Sequence, residues 1–232
     1  MSYARLKHLL SGLALEALGD PAGASWAPVA CAYGELATSD RLAVPLEVVL
    51  ERAGQIGRPV GYSPQETDAS ILAERGLLLR GPDVLSLHPE FAPYLDYCRR
   101  QTSRLVRALV RMRQEGAGDA LRRAAALLEA GLYFECHELL EGVWRATRGP
   151  ERDFYHGLIQ VAAAFYHFEK GNWHGARVLL DKGLDRLRRY PDTYLGVDLR
   201  SLVEGLRPWR DYFGTAGVRR RPDLYPALRF VA

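Results

Sequence analysis

The chain has 232 residues, of which 48% are hydrophobic and 25% are charged. These proportions are typical of an ordinary globular protein, and they exclude a collagen-like chain, a disordered tail and a disulfide-dense miniprotein. The net charge of +3 is too small to indicate a nucleic-acid partner by itself. The three cysteines, Cys31, Cys98 and Cys136, are odd in number and far apart, which excludes a disulfide framework and a cysteine zinc site.

Residues 1–23 are predicted to form an amphipathic N-terminal helix. Their leucines recur at helical spacing, as Leu6, Leu9, Leu10 and Leu13. Arg5 and Lys7 before an apolar run resemble the start of a signal peptide, but Glu16 interrupts that run early. Because no uncharged stretch approaches the roughly 18 apolar residues of a membrane span, we expect a cytoplasmic protein with no membrane partner.

Residues 24–92 are predicted to form a winged-helix-like domain. Two helices are expected at 26–36 and 44–52. A third helix is expected to begin with Ser63 as its cap and Pro64 as its first residue, and to stop at Gly76. Residues 77–79 and 84–87 are typical of the two strands of a hairpin. Helices followed by a hairpin are the order of elements in a winged helix-turn-helix.

The remaining chain is predicted to be helical as far as residue 210, so the fold class is mainly α. A long connecting helix is expected within 93–116. Five further helices are expected, at 119–129, 133–147, 151–170, 172–189 and 198–209. Because connections this short join antiparallel neighbours, residues 117–210 are predicted to form an up-and-down helical bundle. Residues 211–232 are rich in Gly, Pro and Arg and are expected to be an irregular basic tail.

The second helix of the bundle carries the most distinctive polar pattern. His137, Glu141 and Trp144 lie at i, i+4 and i+7, and therefore on one face of a helix. An imidazole and a carboxylate one turn apart can hold a divalent ion. The next helix offers Gln160 and His167, which antiparallel packing would bring opposite. About 1.4 His–carboxylate pairs at this spacing are expected by chance, so the spacing equally fits a helix-surface hydrogen bond.

The same segment resembles a known prokaryotic family. The residues 133–138, 150–154 and 157–160, together with Glu141 and Trp144, are similar to the domain-of-unknown-function 309 family. That family is recognised by H-x-x-x-E-x-x-[WY], which His137, Glu141 and Trp144 match. The resemblance covers about residues 118–210. It implies an all-helical fold and a suspected metal-binding role for the His/Glu motif, with no established reaction, and His156 stands where relatives commonly carry glutamine.

The leading hypothesis is a protein that binds a divalent metal ion or a small polar ligand. The predicted ligand-binding residues are His137, Glu141, Trp144, Gln160 and His167, of which His137, Glu141 and His167 would hold the metal. Whether the protein is an enzyme stays open. Glu138 resembles the general base of a zincin helix, but on an ideal helix it points about 100° from His137. No nucleophile motif accompanies it.

The alternative hypothesis is a DNA-associated regulator whose bundle serves for dimerisation or sensing, with a homodimer as one expected assembly. Four arginines form a basic stripe on the connecting helix: Arg100, Arg104, Arg107 and Arg111. Such a stripe can neutralise phosphates. Glu66 and Asp68, near the start of the predicted recognition helix, would repel phosphates. A solvated stripe, or one that contacts an acidic protein or RNA, fits the pattern as well.

Overall fold

A computed structural model describes residues 2–116 and 118–231 of the chain. Within these residues the protein is mainly helical, with ten α-helices, a three-stranded antiparallel sheet and a two-stranded one. The chain divides into an N-terminal unit, Met1–Ala117, and a C-terminal unit, Gly118–Ala232. None of the helices in the described ranges combines the length and the apolar character that a membrane span requires.

The N-terminal unit combines five helices with a small sheet. The elements in chain order are α1 (Ser2–Gly19), α2 (Trp26–Leu36), β1 (Ala43–Pro45), α3 (Leu46–Gly57), α4 (Glu66–Glu74), β2 (Leu78–Arg80), β3 (Val84–Leu87) and α5 (Leu95–Glu115). The strands run in the order β1-β3-β2, and β3 pairs antiparallel with both neighbours. The predicted first helix, the helix at 26–36 and the hairpin are confirmed.

Helix α2 is the centre of this unit, because nearly all of its side chains are buried. Gly34 lets it approach α5 closely, since a Cβ there would lie 3.1 Å from the Cα of Arg99. The Arg99 side chain in turn donates hydrogen bonds to the carbonyls of Gly34 and Ala37, at 2.6 and 2.8 Å. These bonds satisfy carbonyl groups that the end of a helix leaves without partners.

Two predicted helix starts in this unit are wrong. The helix expected at 44–52 spans Leu46–Gly57, and residues 43–45 form a strand instead. Val44 precedes Pro45, and the residue before a proline favours extended backbone over helix. The third helix begins at Glu66, after the Ser63 cap that we expected. Gln65 is extended and serves as the cap, and its N–H donates to the buried Asp68 carboxylate at 2.6 Å in a capping box.

The C-terminal unit is a helical bundle in which each helix packs on the next along the chain. Its elements are α6 (Ala120–Ala130), α7 (Tyr133–Ala146), α8 (Glu151–Glu169), α9 (Trp173–Leu187), β4 (Thr193–Tyr194), β5 (Val197–Asp198) and α10 (Leu199–Gly214). Three of the predicted helices begin at residues that act as their caps, because the side chain of each accepts a hydrogen bond from a backbone N–H of the first turn: Asp119, Asn172 and Asp198. The short β4–β5 hairpin was not predicted.

The end of the chain differs from the predicted irregular tail at 211–232. Residues 211–214 continue α10, and later residues pack back onto the bundle. The Trp209 Nε1–H donates to the Leu224 carbonyl at 2.8 Å, and the Leu228 side chain is buried. The prediction of an irregular tail rested on the Gly, Pro and Arg content of the segment. Composition does not show which individual residues are buried, so it missed the buried Leu228.

Candidate functional site

Helix α7 carries the candidate site on a partly exposed face. Its buried face includes Cys136 and Leu140, which lie in the bundle core. Burial raises the pKa of the Cys136 thiol well above its ordinary value. Cys136 is therefore a core residue. His137 and Glu141 lie beside this face, with 29% and 28% of their side chains exposed.

Two ring contacts define how α7 lies on α8. The Phe134 and Tyr166 rings are 5.4 Å apart, and the Trp144 and His156 rings are 5.5 Å apart. Since the residue number falls on α8 as it rises on α7, the two helices are antiparallel. This register sets His137 level with residue 163 of α8. Gln160 and His167, the two α8 residues predicted to join it, each lie about one turn from that level.

His137 lies between two carboxylates. Its Nδ1 is 3.1 Å from Glu138 Oε1, and its Nε2 is 4.0 Å from Glu141 Oε2. One ligand atom from each of these three residues lies within 4.8 Å of the other two, and in residues 2–116 and 118–231 this is the one group of His, Cys, Asp or Glu that does so. Ideal helix angles did not predict the contact between Glu138 and His137. It forms because rotation of the side chains brings the Glu138 carboxylate back toward the ring.

Glu141 has a second neighbour on the same helix. Its Oε1 accepts a hydrogen bond of 2.7 Å from Arg145 Nη2, whose side chain is 71% exposed. The two oxygens of Glu141 therefore face different groups, a guanidinium on one side and an imidazole on the other. An exposed pair of this kind at i, i+4 contributes only about 0.3–0.5 kcal/mol. The pair with Arg145 therefore orients the Glu141 carboxylate but is too weak to hold it in one position.

Trp144 belongs to the α7–α8 contact. The Arg152 guanidinium lies 3.9 Å from the centre of the Trp144 ring, and its Nη1 donates to the Trp144 carbonyl at 3.1 Å. His156 is next to the same ring. Burial, followed by the positive charge of Arg186, lowers the pKa of His156 below its ordinary value. The ring of Trp144 therefore packs against residues of α8, and its predicted role in ligand binding stays a prediction.

Gln160 and His167 form their hydrogen bonds on the side of α9. Gln160 Oε1 accepts from Arg186 Nη1 at 3.0 Å, and the same guanidinium donates to Asp153 at 2.9 Å. His167 Nδ1 accepts from Asn172 Nδ2 at 2.9 Å, next to the cap of α9. The structure thus groups His137 with Glu138 and Glu141. The hydrogen bonds of Gln160 and His167 engage Arg186 and Asn172 instead.

The arginine stripe of α5 is only partly open to solvent. Arg100 and Arg107 are exposed, whereas Arg104 and Arg111 are half-buried. Arg111 Nε pairs with Glu115 at 3.2 Å. Residues 1–117 contain 13 Lys or Arg and 13 Asp or Glu, so the unit that carries the stripe has no net charge. Nucleic-acid binding by these four residues stays a prediction.

The comparison with family models places one match in the C-terminal unit. Residues 121–179 match the family model described as "Domain of unknown function (DUF309)". An uncharacterized protein of Aquifex aeolicus (strain VF5) is 27% identical over 107 residues, which are 46% of this chain and 31% of that protein. The uncharacterized protein YpuF of Bacillus subtilis (strain 168) is 45% identical over 75 residues, which are 31% of this chain and 43% of YpuF.

The chain spans less than half the length of either relative that it matches. No solved structure matches it. The matched segment contains α6, α7 and α8 with the beginning of α9, and so includes His137, Glu138 and Glu141. The predicted resemblance is confirmed: the segment of the bundle that carries the candidate site matches the DUF309 family model.

Proposed function

We propose that the C-terminal unit binds a divalent metal ion between His137 and Glu141. The observation that carries the proposal is that both nitrogens of one imidazole face a carboxylate, at 3.1 and 4.0 Å. Only one of these nitrogens can hold a metal, because a neutral imidazole has a single lone pair. The two distances indicate which nitrogen that is.

The shorter distance is that of a hydrogen bond. A proton on Nδ1 satisfies Glu138 Oε1, and the lone pair then lies on Nε2, facing Glu141. Metal-binding histidines usually donate their second ring N–H to a carboxylate or a carbonyl, which fixes the tautomer and the ring orientation. Glu138 therefore acts as the residue that orients the imidazole, and His137 and Glu141 act as the ligands.

The 4.0 Å between Nε2 and Oε2 is compatible with an ion between them. Bonds from Zn²⁺ to imidazole nitrogen and carboxylate oxygen are about 2.0–2.2 Å long, so two opposed bonds span about 4.1 Å. A tetrahedral arrangement needs the two atoms about 3.4 Å apart, a shift of about 0.6 Å for a partly exposed glutamate. The ion would take its other ligands from water.

A site with two protein ligands leaves coordination positions open, as catalytic metal sites do. Zn²⁺, Mn²⁺ and Fe²⁺ all accept imidazole and carboxylate ligands. We assign no reaction, because the cluster includes no nucleophile. His167 and Gln160 are left out of the proposed ligand set because their hydrogen bonds engage Asn172 and Arg186.

Isothermal titration with Zn²⁺ and with Mn²⁺, after the protein has been stripped with a chelator, tests this proposal. We expect one ion per chain. His137→Ala and Glu141→Gln should abolish binding, and Glu138→Gln should weaken it by about 10–100-fold, the usual cost of losing an orienting partner. His174→Ala, an exposed histidine of α9, is the matched control and should bind like the parent. Unchanged binding in His137→Ala, or an equal loss in His174→Ala, would contradict the proposal.

We infer, as a second candidate, that residues 24–92 form a winged helix. The order α2-β1-α3-α4 followed by the β2–β3 hairpin, with the sheet order β1-β3-β2, supports this assignment. It favours the DNA-associated function, whereas the absence of net charge on the unit and the carboxylates of α4 oppose it.

Fluorescence anisotropy with duplex DNA at two salt concentrations distinguishes the two functions. A DNA-binding unit should lose affinity at the higher salt concentration and again when Arg100 and Arg107 become Glu. Equal DNA affinity of the parent and of the variant with both arginines changed to Glu would contradict DNA binding by the arginine stripe.

A further inference from the structure

The outer face of the sheet in the N-terminal unit is a surface without charge. Pairing places Ala43 opposite Ser86, Ser86 opposite Leu79, and Pro45 opposite Val84. Because side chains alternate along a strand, these five residues share one face of the sheet. The residues between them, such as Val44 and Leu85, are buried on the other face. We call these five residues the outer sheet face.

This face exposes apolar side chains that a solvated sheet would replace with polar ones. Leu79 is 44% exposed and Val84 is 38% exposed. Antiparallel sheets with one solvated face normally alternate apolar and polar residues, with the polar ones outside. Contiguous exposed apolar patches mark contact sites. The outer sheet face is therefore suited to bind a polypeptide with apolar side chains.

Carboxylates border the same surface. A groove of about 330 Å³ adjoins the face, and Glu47 and Asp83 line it together with Pro45 and Leu50. Asp83 directly precedes Val84 in the chain, and Pro45 belongs both to the groove and to the face. Neither Glu47 nor Asp83 has an ion-pair partner within the ranges that the structure describes. The complementary ligand is therefore apolar and basic.

Residues 218–224 of this chain have that character. Val218 and Leu224 are 88% and 81% exposed, the most exposed large apolar side chains of residues 2–116 and 118–231. Between them lie Arg219, Arg220 and Arg221. Arg219 pairs with Asp211 at 3.7 Å and Arg220 pairs with Asp223 at 2.9 Å, both at the surface.

Exposed ion pairs contribute little, so Arg219 and Arg220 can exchange partners at low cost. Arg221 is engaged differently, because its guanidinium lies over the rings of Trp209 and Tyr225.

We propose that the outer sheet face binds residues 218–224 of a second copy of the chain. The apolar side chains of that segment cover Leu79 and Val84, and its arginines pair with Asp83 and Glu47. A contact made by one seven-residue segment is far smaller than a standard interface, which takes about 20–30 residues on each side, so the association should be transient and depend on protein concentration. It should also weaken with salt, because its ion pairs are exposed. This inference is independent of the proposed metal site.

Sedimentation equilibrium of the full chain tests the proposal over a wide range of concentration. The average mass should rise above the 26.0 kDa of one chain as the concentration increases. Val84→Asp should weaken the association by about tenfold or more, since it puts a carboxylate in place of a valine that the proposed contact would cover. Leu195→Asp, which changes a leucine of the C-terminal unit that is as exposed as Leu79, is the control and should associate like the parent.

A charge exchange tests the partner directly. Asp83→Arg should weaken the association, and Arg219→Glu in the same chain should restore it, while Glu51→Arg, a control on α3, should have no effect. Far-UV circular dichroism confirms that each variant is folded. A protein that keeps the mass of one chain at every concentration would overturn the proposal. So would Val84→Asp behaving like Leu195→Asp, or a charge exchange that restores nothing.

Discussion

Gly183→Ala is predicted to destabilise the packing of α8 against α9. A Cβ at this position would lie 3.0 Å from the Gly157 carbonyl oxygen, 3.1 Å from Val161 Cγ2 and 3.3 Å from the Val161 nitrogen. Two of these atoms are backbone, so relief requires the helices to separate. Such overpacking costs about 1–3 kcal/mol. Alanine recovers about 1 kcal/mol of helix propensity, which leaves a net loss of about 0–2 kcal/mol.

Gly142→Ala is the matched control for this prediction. Gly142 lies inside α7, is exposed, and has no heavy atom within 4 Å of an added Cβ. This variant should therefore gain about 1 kcal/mol, and the difference between the two variants is the packing cost of about 1–3 kcal/mol. Hydrogen exchange of α8 peptides measures that difference within the C-terminal unit. Equal protection in both variants would refute the close approach of α8 and α9.

Three further predictions concern pH, capping and thiol reactivity. The pKa of His156 is lowered in the folded protein, so the unfolded chain binds the proton more readily and stability falls as the pH drops below about 6.5. His156→Gln should make urea midpoints less sensitive to acid, and identical pH profiles would contradict this. Arg99→Ala should lose about 1–3 kcal/mol in thermal melts because two carbonyls at the end of α2 lose their donor, whereas Arg100→Ala should change little. Burial raises the pKa of Cys98 to about 12, so native protein should resist alkylation at Cys98 and become reactive only on unfolding.

Much of the C-terminal unit could be predicted from the sequence, because its helix ends are determined by nearby residues. Asp119, Asn172 and Asp198 cap helices within their own first turns. Strand β1 was missed for the opposite reason. Its residues pair with β3, some 40 positions later in the chain, and no local pattern in residues 43–45 indicates that partner.

The candidate site was predicted in part. Spacing placed His137 and Glu141 on one face of α7, and the structure brings them within 4.0 Å. Helix α8 packs against both α7 and α9. Spacing alone therefore could not predict which of these two helices Gln160 and His167 would contact. Gln160 bonds to Arg186 of α9 as a result. The contact of Glu138 depends on side-chain rotation, which helix periodicity does not describe.

Nuclear magnetic resonance of the histidine side chains tests the central claim most directly. Protein labelled with ¹⁵N at histidine is titrated with Zn²⁺, and the signals of residue 137 are assigned by their loss in His137→Gln. We predict that the Nε2 signal of His137 shifts and saturates at one ion per chain, while Nδ1 keeps its proton. Unchanged His137 signals while another of the six histidines shifts would contradict the account.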